Sequence, residues 1–402
     1  MKWLLTVAWG IVVLNCAHAA VEWPDRVSEV LTFASADGNF FAHGEGLLSV
    51  TGYKGNQSIP GLVFSEQDPL LSPRLTLFVD GQAGSSVSGF VQARIDRGFD
   101  PTDGGAELRF DEYALRFRLG SGTACSIQVG KFATVFGNWV PRHDEWQNPF
   151  VCAPLPYENL TGIYDAEAAV VPQNLRIDGG ADDYDYNPII WGPVYATGVS
   201  VAGRVGRFDY AVEMKNTGPS SRPESWTLGA VGFDQPAYTM RLGFRPDLRL
   251  NFGLSVSDSV YLLPRAAATI PAGFRRSDYR EWLFGQDFSF EWHHWQIWSE
   301  LFEAQFDVPL VGAARSLAGY VELRYKFTPH FSGALRWNRQ VFSSMVDAGV
   351  ITPWGTDLTR VEAAVLYRFT PQSQFKIQVS AIPAVTSRPG RLTYAAQFTL
   401  RF

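Results

Sequence analysis

The chain has 402 residues, 29 Phe, 15 Tyr, 13 Trp and 37 Gly, and a formal net charge of −6, which gives it no general attraction for nucleic acid. A soluble all-β chain of this length would divide into two cores. A transmembrane barrel need not, because lipid solvates its outer face and water its lumen.

From the N-terminus, Met1-Lys2 precedes a short apolar run, Trp3 to Leu14, and Ala17-His18-Ala19 supplies a small-x-small cleavage site. This predicts a cleaved signal peptide over 1–19 and Sec-type export. Cys16 would leave with it, and Asn15 before it fits a lipidation box poorly. No later apolar run approaches the roughly 18 residues that a membrane helix needs. A periplasmic segment is expected over 20–42 and one barrel domain over 43–402.

Alternating segments fall at 43–53, 72–82, 86–97, 107–119, 122–132, 193–204, 206–216 and 238–246. They continue at 248–258, 279–291, 293–304, 314–327, 330–341, 357–369, 372–383 and 390–402. Alternation puts one strand face in an apolar medium and the other in water. Sixteen is even, as expected when both termini lie in the periplasm. The connections alternate too. Short ones such as Gly81–Ser85, Leu119–Ser121 and Thr328-Pro329 are separated by longer ones such as 54–71, 133–192 and 342–356. Short periplasmic turns against long external loops make an all-β, antiparallel, up-and-down transmembrane barrel. Trp226–Phe233 and Ala166–Ile177 would raise the count to eighteen, but Gly and Pro interrupt them.

Parity assigns the walls. Tyr113, Leu115, Phe117, Val321, Leu323, Tyr325, Phe327, Phe331, Leu335, Trp337, Val361, Val365, Tyr367 and Phe369 should face lipid. Cys125 shares that face with Ile127 and Val129, whereas Cys152 lies in the longest loop, so no disulfide is expected. Inward parity gives Arg74, Arg94, Arg116, Arg118, Arg241, Arg324, Lys326, Arg336, Arg360, Arg368, Lys376, Arg391 and Arg401. It also gives Asp80, Asp96, Asp209, Glu213, Glu281, Asp287, Glu300, Glu322 and Glu362. Charges at membrane depth must line water or pair with each other. The basic residues are therefore either an anion-attracting track or one half of wall ion pairs, such as Arg360 with Glu362. Interspersed acids favour the pairs.

The third long connection, 133–192, carries Asp144, Glu145, Glu158, Asp165, Glu167, Asp178, Asp182, Asp183 and Asp185. Loops of this length in a compact domain are usually functional. Asp178 to Asp185 places oxygen ligands close together, but lacks the spacing and terminal Glu of a calcium loop, so a solvated acidic loop is the expectation and no metal is assigned.

The segment from Pro389 to Phe402 alternates through Tyr394, Ala396, Phe398, Leu400 and Phe402, as a closing strand in lipid must. Such a strand resembles the assembly signal of Gram-negative outer-membrane barrels, with Tyr394, Phe398, Leu400 and Phe402 as its outward residues. Val129-Gly-Lys-Phe-Ala-Thr-Val-Phe-Gly137 is similar to the Gly-Lys-Phe…Phe-Gly segment of the phosphate-selective (O/P-like) porin family. The match covers about nine residues; that family's selectivity depends on loop arginines and a lysine cluster, and the cluster has no counterpart here. The resemblance implies an outer-membrane location, assembly through the barrel machinery, a third loop folded into the lumen, and a homotrimer. An acidic loop would then face a basic wall and set up a transverse field.

Chemistry-bearing motifs are sparse. His43, His143, His293, His294 and His330 are the histidines beyond the leader, and His143-Asp144 belongs to no nucleophile, zinc or phosphate-loop motif. No enzymatic activity and no cofactor are assigned. The expected function is a porin, a passive channel for ions and small hydrophilic solutes narrowed by 133–192. One alternative is a channel specific for an anionic, phosphate-like or sugar-like solute, using Trp139, Trp146, Tyr157, Tyr164, Tyr184, Tyr186 and Trp191. The other is a barrel enzyme or adhesin without an open pore.

Overall fold

The computed structural model describes residues 23–55, 69–98, 105–120, 122–176, 186–384 and 390–402. The leader and the acidic run Asp178, Asp182, Asp183 and Asp185 lie outside them. A short helix α1 (Trp23–Val30) leads to strand β1 (Thr32–Ala34). There follow β2 (Phe40–Gly55), β3 (Leu70–Ala83), β4 (Val87–Asp96), β5 (Glu107–Arg118) and β6 (Ser126–Phe132). The long loop holds a small pair, β7 (Leu160–Tyr164) and β8 (Tyr186–Pro188). Next come β9 (Ala196–Val205), β10 (Phe208–Lys215), β11 (Ala237–Phe244), β12 (Leu250–Val260), β13 (Arg280–Trp292) and β14 (Trp295–Val308). After β15 (Gly312–Lys326) and β16 (Phe331–Phe342), the hairpin β17 (Ser344–Asp347) and β18 (Val350–Pro353) stands apart. The chain returns through β19 (Leu358–Thr370), β20 (Ser373–Ile382) and β21 (Arg391–Arg401).

Sixteen of these strands pair antiparallel, each with its sequence neighbour in the wall, and β21 closes on β2 with Leu47 opposite Arg401 and Gly55 opposite Thr393. Closure leaves no unpaired edge for lipid, where unmet backbone groups would be costly. The two extra strands weighed from sequence do not form among the described residues. Pro223–Ser225 is a 3₁₀ turn that tucks Trp226 inside, and Pro172–Leu175 is another.

Side-chain alternation follows the pleat. In β19, Arg360, Glu362, Ala364 and Leu366 are buried while Val361, Val365 and Tyr367 are exposed. Tyr113, Leu115, Phe117, Leu335 and Trp337 are likewise on the outer face. Tyr325 and Phe327 stack with Trp295 and Phe331 near the short-turn end, at ring distances of 4.5 to 5.3 Å. Cys125 and Cys152 are both free.

The segment before the barrel contributes to the sheet. β1 pairs with β2 over Phe41–His43, directly beyond the point where β21 leaves the same edge of β2. There Phe402 exchanges two backbone hydrogen bonds with Gly46, and a Cβ on Gly46 would fall 2.4 Å from the Phe402 ring.

Candidate lumen site

Strands β6 and β9 are hydrogen-bonded neighbours, so residues 133–195 are an excursion that leaves the wall and returns beside its own start. Two glycines direct it inward. Gly130 has φ +143° and its Cα faces the backbone of Tyr113 so closely that a Cβ would lie 2.2 Å from the Tyr113 carbonyl oxygen. Gly137 has φ +74°, a region that favours glycine, and any Cβ there would meet Glu300 and Tyr157. Between them Lys131 donates to the Phe110 carbonyl at 2.8 Å, and Thr134 donates to Glu213 at 2.6 Å. Residues 129–137 are thus the bend that sends the loop into the lumen.

Once inside, the loop lies against the inner face of β14 to β20. The Glu300 carboxylate accepts from the backbone N–H groups of Asn138 and Trp139 and from the Tyr157 hydroxyl. Phe136, Trp139, Tyr157 and Phe302 pack together, with ring centroids 4.5 to 5.6 Å apart. On β20, every second side chain serves the loop backbone. Gln374 donates to the Glu145 carbonyl at 2.8 Å, Lys376 to that of Asn148 at 2.8 Å, and Gln378 accepts from Val151 N–H at 2.6 Å.

A chain of alternating charges fastens the same surface. Arg142 of the loop meets Glu322 at 2.6 Å, Glu322 meets Arg336 at 3.4 Å, and Arg336 meets Glu362 at 2.5 Å. Glu362 meets Arg360 at 3.3 Å, and Arg360 ends the chain on Glu158 of the loop. Three cations and three anions alternate, and the four wall members are at most 1% exposed. Isolated charges at this depth would cost several kcal/mol each, so the alternation is what makes their burial tolerable. Burial pushes Glu158 up to about 7; the Arg360 guanidinium opposes that shift and Glu362 adds to it.

This arrangement changes the reading of two predicted wall residues. Arg336 and Arg360 have inward parity, yet the loop covers them and water does not reach them. Glu158 likewise faces the wall. Parity reports which side of the sheet a residue is on; it does not report what lies on that side.

Along β2 to β5 the loop and the wall border cavities instead. Arg74 bridges Asp96 at 2.9 Å and Glu145 of the loop at 2.6 Å. Arg94 meets Asp111 at 2.8 Å, and Arg109 meets Asp96 and Asp111 at 2.5 and 3.0 Å. Burial raises the Glu145 carboxyl, but Arg74 and then Arg94 outweigh it and hold it at about 2. A cavity of about 110 Å³ is lined by Arg74, Arg94, Arg109, Trp139, Glu145 and Tyr195. A second, of about 290 Å³, is lined by Thr76, Phe78, Gln92 and Glu112. Strand β3 runs toward the Gly84 turn, so Thr76 and Phe78 lie nearer the short-turn end than Arg74. The two cavities share Arg94, His143, Asp144 and Glu145, which therefore mark the narrow level between them. His143 is held by the Val140 carbonyl at 2.6 Å and the Tyr195 hydroxyl at 2.5 Å. Among the described residues, no group of three His, Cys, Asp or Glu side chains is placed to hold a metal.

The remaining predicted basic residues spread over the lumen. Arg241 joins Asp209 and Asp287 at 3.0 and 2.7 Å. Arg116 and Arg118 lie at the short-turn end of β5, and Arg324, Lys326 and Arg368 at that of β15 and β19. At the seam, Tyr394 faces outward and is exposed, while Phe398, Leu400 and Phe402 are half-buried.

Three partners were not visible from sequence. Arg109 and Asp111 were missed because β5 slips register against β4 between Gln92 and Ala93, which reverses the parity counted back from Arg116. Arg142 gave no sign beyond its place in the loop. The β20 row could have been found, since Gln374, Lys376, Gln378 and Ser380 alternate on one face.

No family model matches the chain, and no curated protein matches it in sequence. Solved structures do. OmpF of Salmonella typhi, determined with daunomycin, is 9% identical and superposes with a TM-score of 0.57 over 92% of this chain and 100% of that one. An anion-selective porin from Comamonas acidovorans is 8% identical, TM-score 0.56, over 90% and 100%. The outer-membrane channel DcaP of Acinetobacter baumannii is 12% identical, TM-score 0.56, over 92% and 99%. The fold is therefore that of Gram-negative outer-membrane porins and channels.

Proposed function

We propose that the chain is an outer-membrane porin, a passive channel for ions and small hydrophilic solutes. In this reading the loop 133–192 fills the lumen on the β14–β20 side and leaves the water path along β2–β5. The observation that carries it is the pair of cavities meeting at Arg94, His143, Asp144 and Glu145. Basic residues on one side and loop acids on the other give that level a transverse field, which orients dipolar solutes. The short turns belong to the periplasm and the long loops to the outside. Residues 1–19 act as an export leader, Tyr394, Phe398, Leu400 and Phe402 serve the assembly machinery, and the barrel works as a homotrimer in outer-membrane lipid. The test is single-channel current of the refolded, heat-modifiable protein in a planar bilayer. A steady conductance supports the reading; none from folded protein refutes it.

A channel with a saturable site for an anionic or sugar-like solute is the second reading. Its support is local: Trp139, Trp191 and Tyr195 stand in the same cavity as Arg74, Arg94 and Arg109. Conductance that saturates with an organic anion but not with chloride would select it.

A further inference from the structure

The lumen's basic residues separate into two groups when their partners are compared. Arg74, Arg94, Arg109, Arg241, Arg336, Arg360 and Arg401 each meet a carboxylate. Besides Arg204, which donates to the Gly206 carbonyl at 3.2 Å, and Lys376, five others meet none among the described residues. Arg116 donates to the Gln128 side chain at 2.7 and 3.1 Å, and Arg118 to the Ser85 carbonyl at 3.2 Å. Arg324 donates to the Ser332 hydroxyl at 3.3 Å, and no side-chain partner of Lys326 is found among the described residues. Arg368 lies over the Trp146 ring at 4.9 Å, and its buried Nε has no acceptor. Lys376 also lacks a carboxylate, but it is buried behind the loop on the Asn148 and Phe150 carbonyls.

These five share one level. Each sits within the last residues of its strand before a short turn: β5 ends at Arg118, β15 at Lys326 and β19 at Thr370. In the closed order β15 is eight strands from β5 in either direction, so the two groups face each other across the mouth. Acids of inward parity at that level are Asp80 on β3 and Glu291 on β13, besides Glu45 and Asp209, which already hold Arg401 and Arg245. At the narrow level, by contrast, Asp96, Asp111 and Glu145 offset Arg74, Arg94 and Arg109.

We propose that the ion filter of this barrel is its periplasmic mouth, where Arg116, Arg118, Arg324, Lys326 and Arg368 form an incompletely neutralised cationic ring that admits small anions preferentially. The inference rests on the channel reading above. Fixed charge without a counter-charge raises the local concentration of mobile anions within a Debye length, about 10 Å at 0.1 M salt and about 3 Å at 1 M. Because the excess sits at one end only, current at low salt should also differ between the two polarities.

The experiment is planar-bilayer recording of the native protein and of R324Q/K326Q/R368Q in a KCl gradient, then in symmetric KCl at low and high concentration. The native channel is expected to be anion-selective and to rectify at low salt, with rectification fading at high salt. The triple variant is expected to lose at least about half of its anion-to-cation permeability ratio, and much of its rectification, as the local field is removed. Should the triple variant not assemble, Lys326→Gln alone is expected to move the ratio in the same direction. An unmoved ratio in conducting variants overturns the inference and leaves the channel reading standing. So does a larger shift from Arg74→Gln than from the triple variant. Absence of current from folded native protein overturns the channel reading itself.

Discussion

The two halves of the lumen use the same residue types for opposite ends. On β14 to β20, Arg336, Arg360, Glu322 and Glu362 are sealed under the loop and bind it. On β3 to β5, Arg74, Arg94 and Arg109 meet acids too, but they line a cavity. The first set holds the loop in position, and the second borders the space beside it. A guanidinium on the inner face is therefore no sign of a pore wall until its cover is known.

The sharpest break in that contrast should come from Arg336→Leu. It strands Glu322 and Glu362 without their shared cation, and loss of one partner in a buried network costs about 3–5 kcal/mol. The expected outcome is a lower temperature for the shift from folded to unfolded mobility on gels, whereas Arg74→Leu, on the cavity side, should lower it much less. Gly137→Val tests the bend. A β-branched residue at φ +74° against Glu300 and Tyr157 should cost at least about 1–3 kcal/mol and add noisy conductance as the loop seats poorly.

Gln378→Leu removes the acceptor of the Val151 and Cys152 N–H groups, which should cost about 1–3 kcal/mol and appear as faster hydrogen exchange at those two amides. The smallest effect concerns Glu158. Its carboxyl is raised from the ordinary range to about 7, so the stability it contributes is complete below the unfolded carboxylate pKa and is lost as pH rises through about 7. Loop fluctuations, read as open-channel noise, should grow from pH 5 to 8 in the native protein. Glu158→Gln should flatten that dependence; an equal rise in the variant would remove Glu158 as its source.

Much of the barrel was legible because lipid and water impose a period of two that few other settings enforce. All sixteen predicted segments correspond to wall strands, and the loop 133–192 begins and ends near where the wall is left and rejoined. The errors were of register and cover. Arg109 was lost to a one-residue slip in β5, and β2 starts at Phe40, before the predicted 43, because Phe40 to Ala42 still pair with β3, with β1 on the other edge of Phe41 and Ala42. Arg360 and Arg336 were placed on the correct face, but the sequence pattern cannot tell that a loop about 180 to 210 positions away covers them, as their bonds to Cys152 and Ala153 show. Long-range fit of this kind leaves no local period to read.

The short strand β1 has a bearing on the bore of the barrel. For a given strand number, barrel diameter follows from the stagger between first and last strands. β1 occupies the edge of β2 immediately past Phe402, so β21 cannot slide further along that edge without displacing it. It acts as a ruler's end-stop, with Gly46 as the notch that receives the final ring. A barrel measured off in this way has its width set at the seam, far from the loop that folds into its lumen.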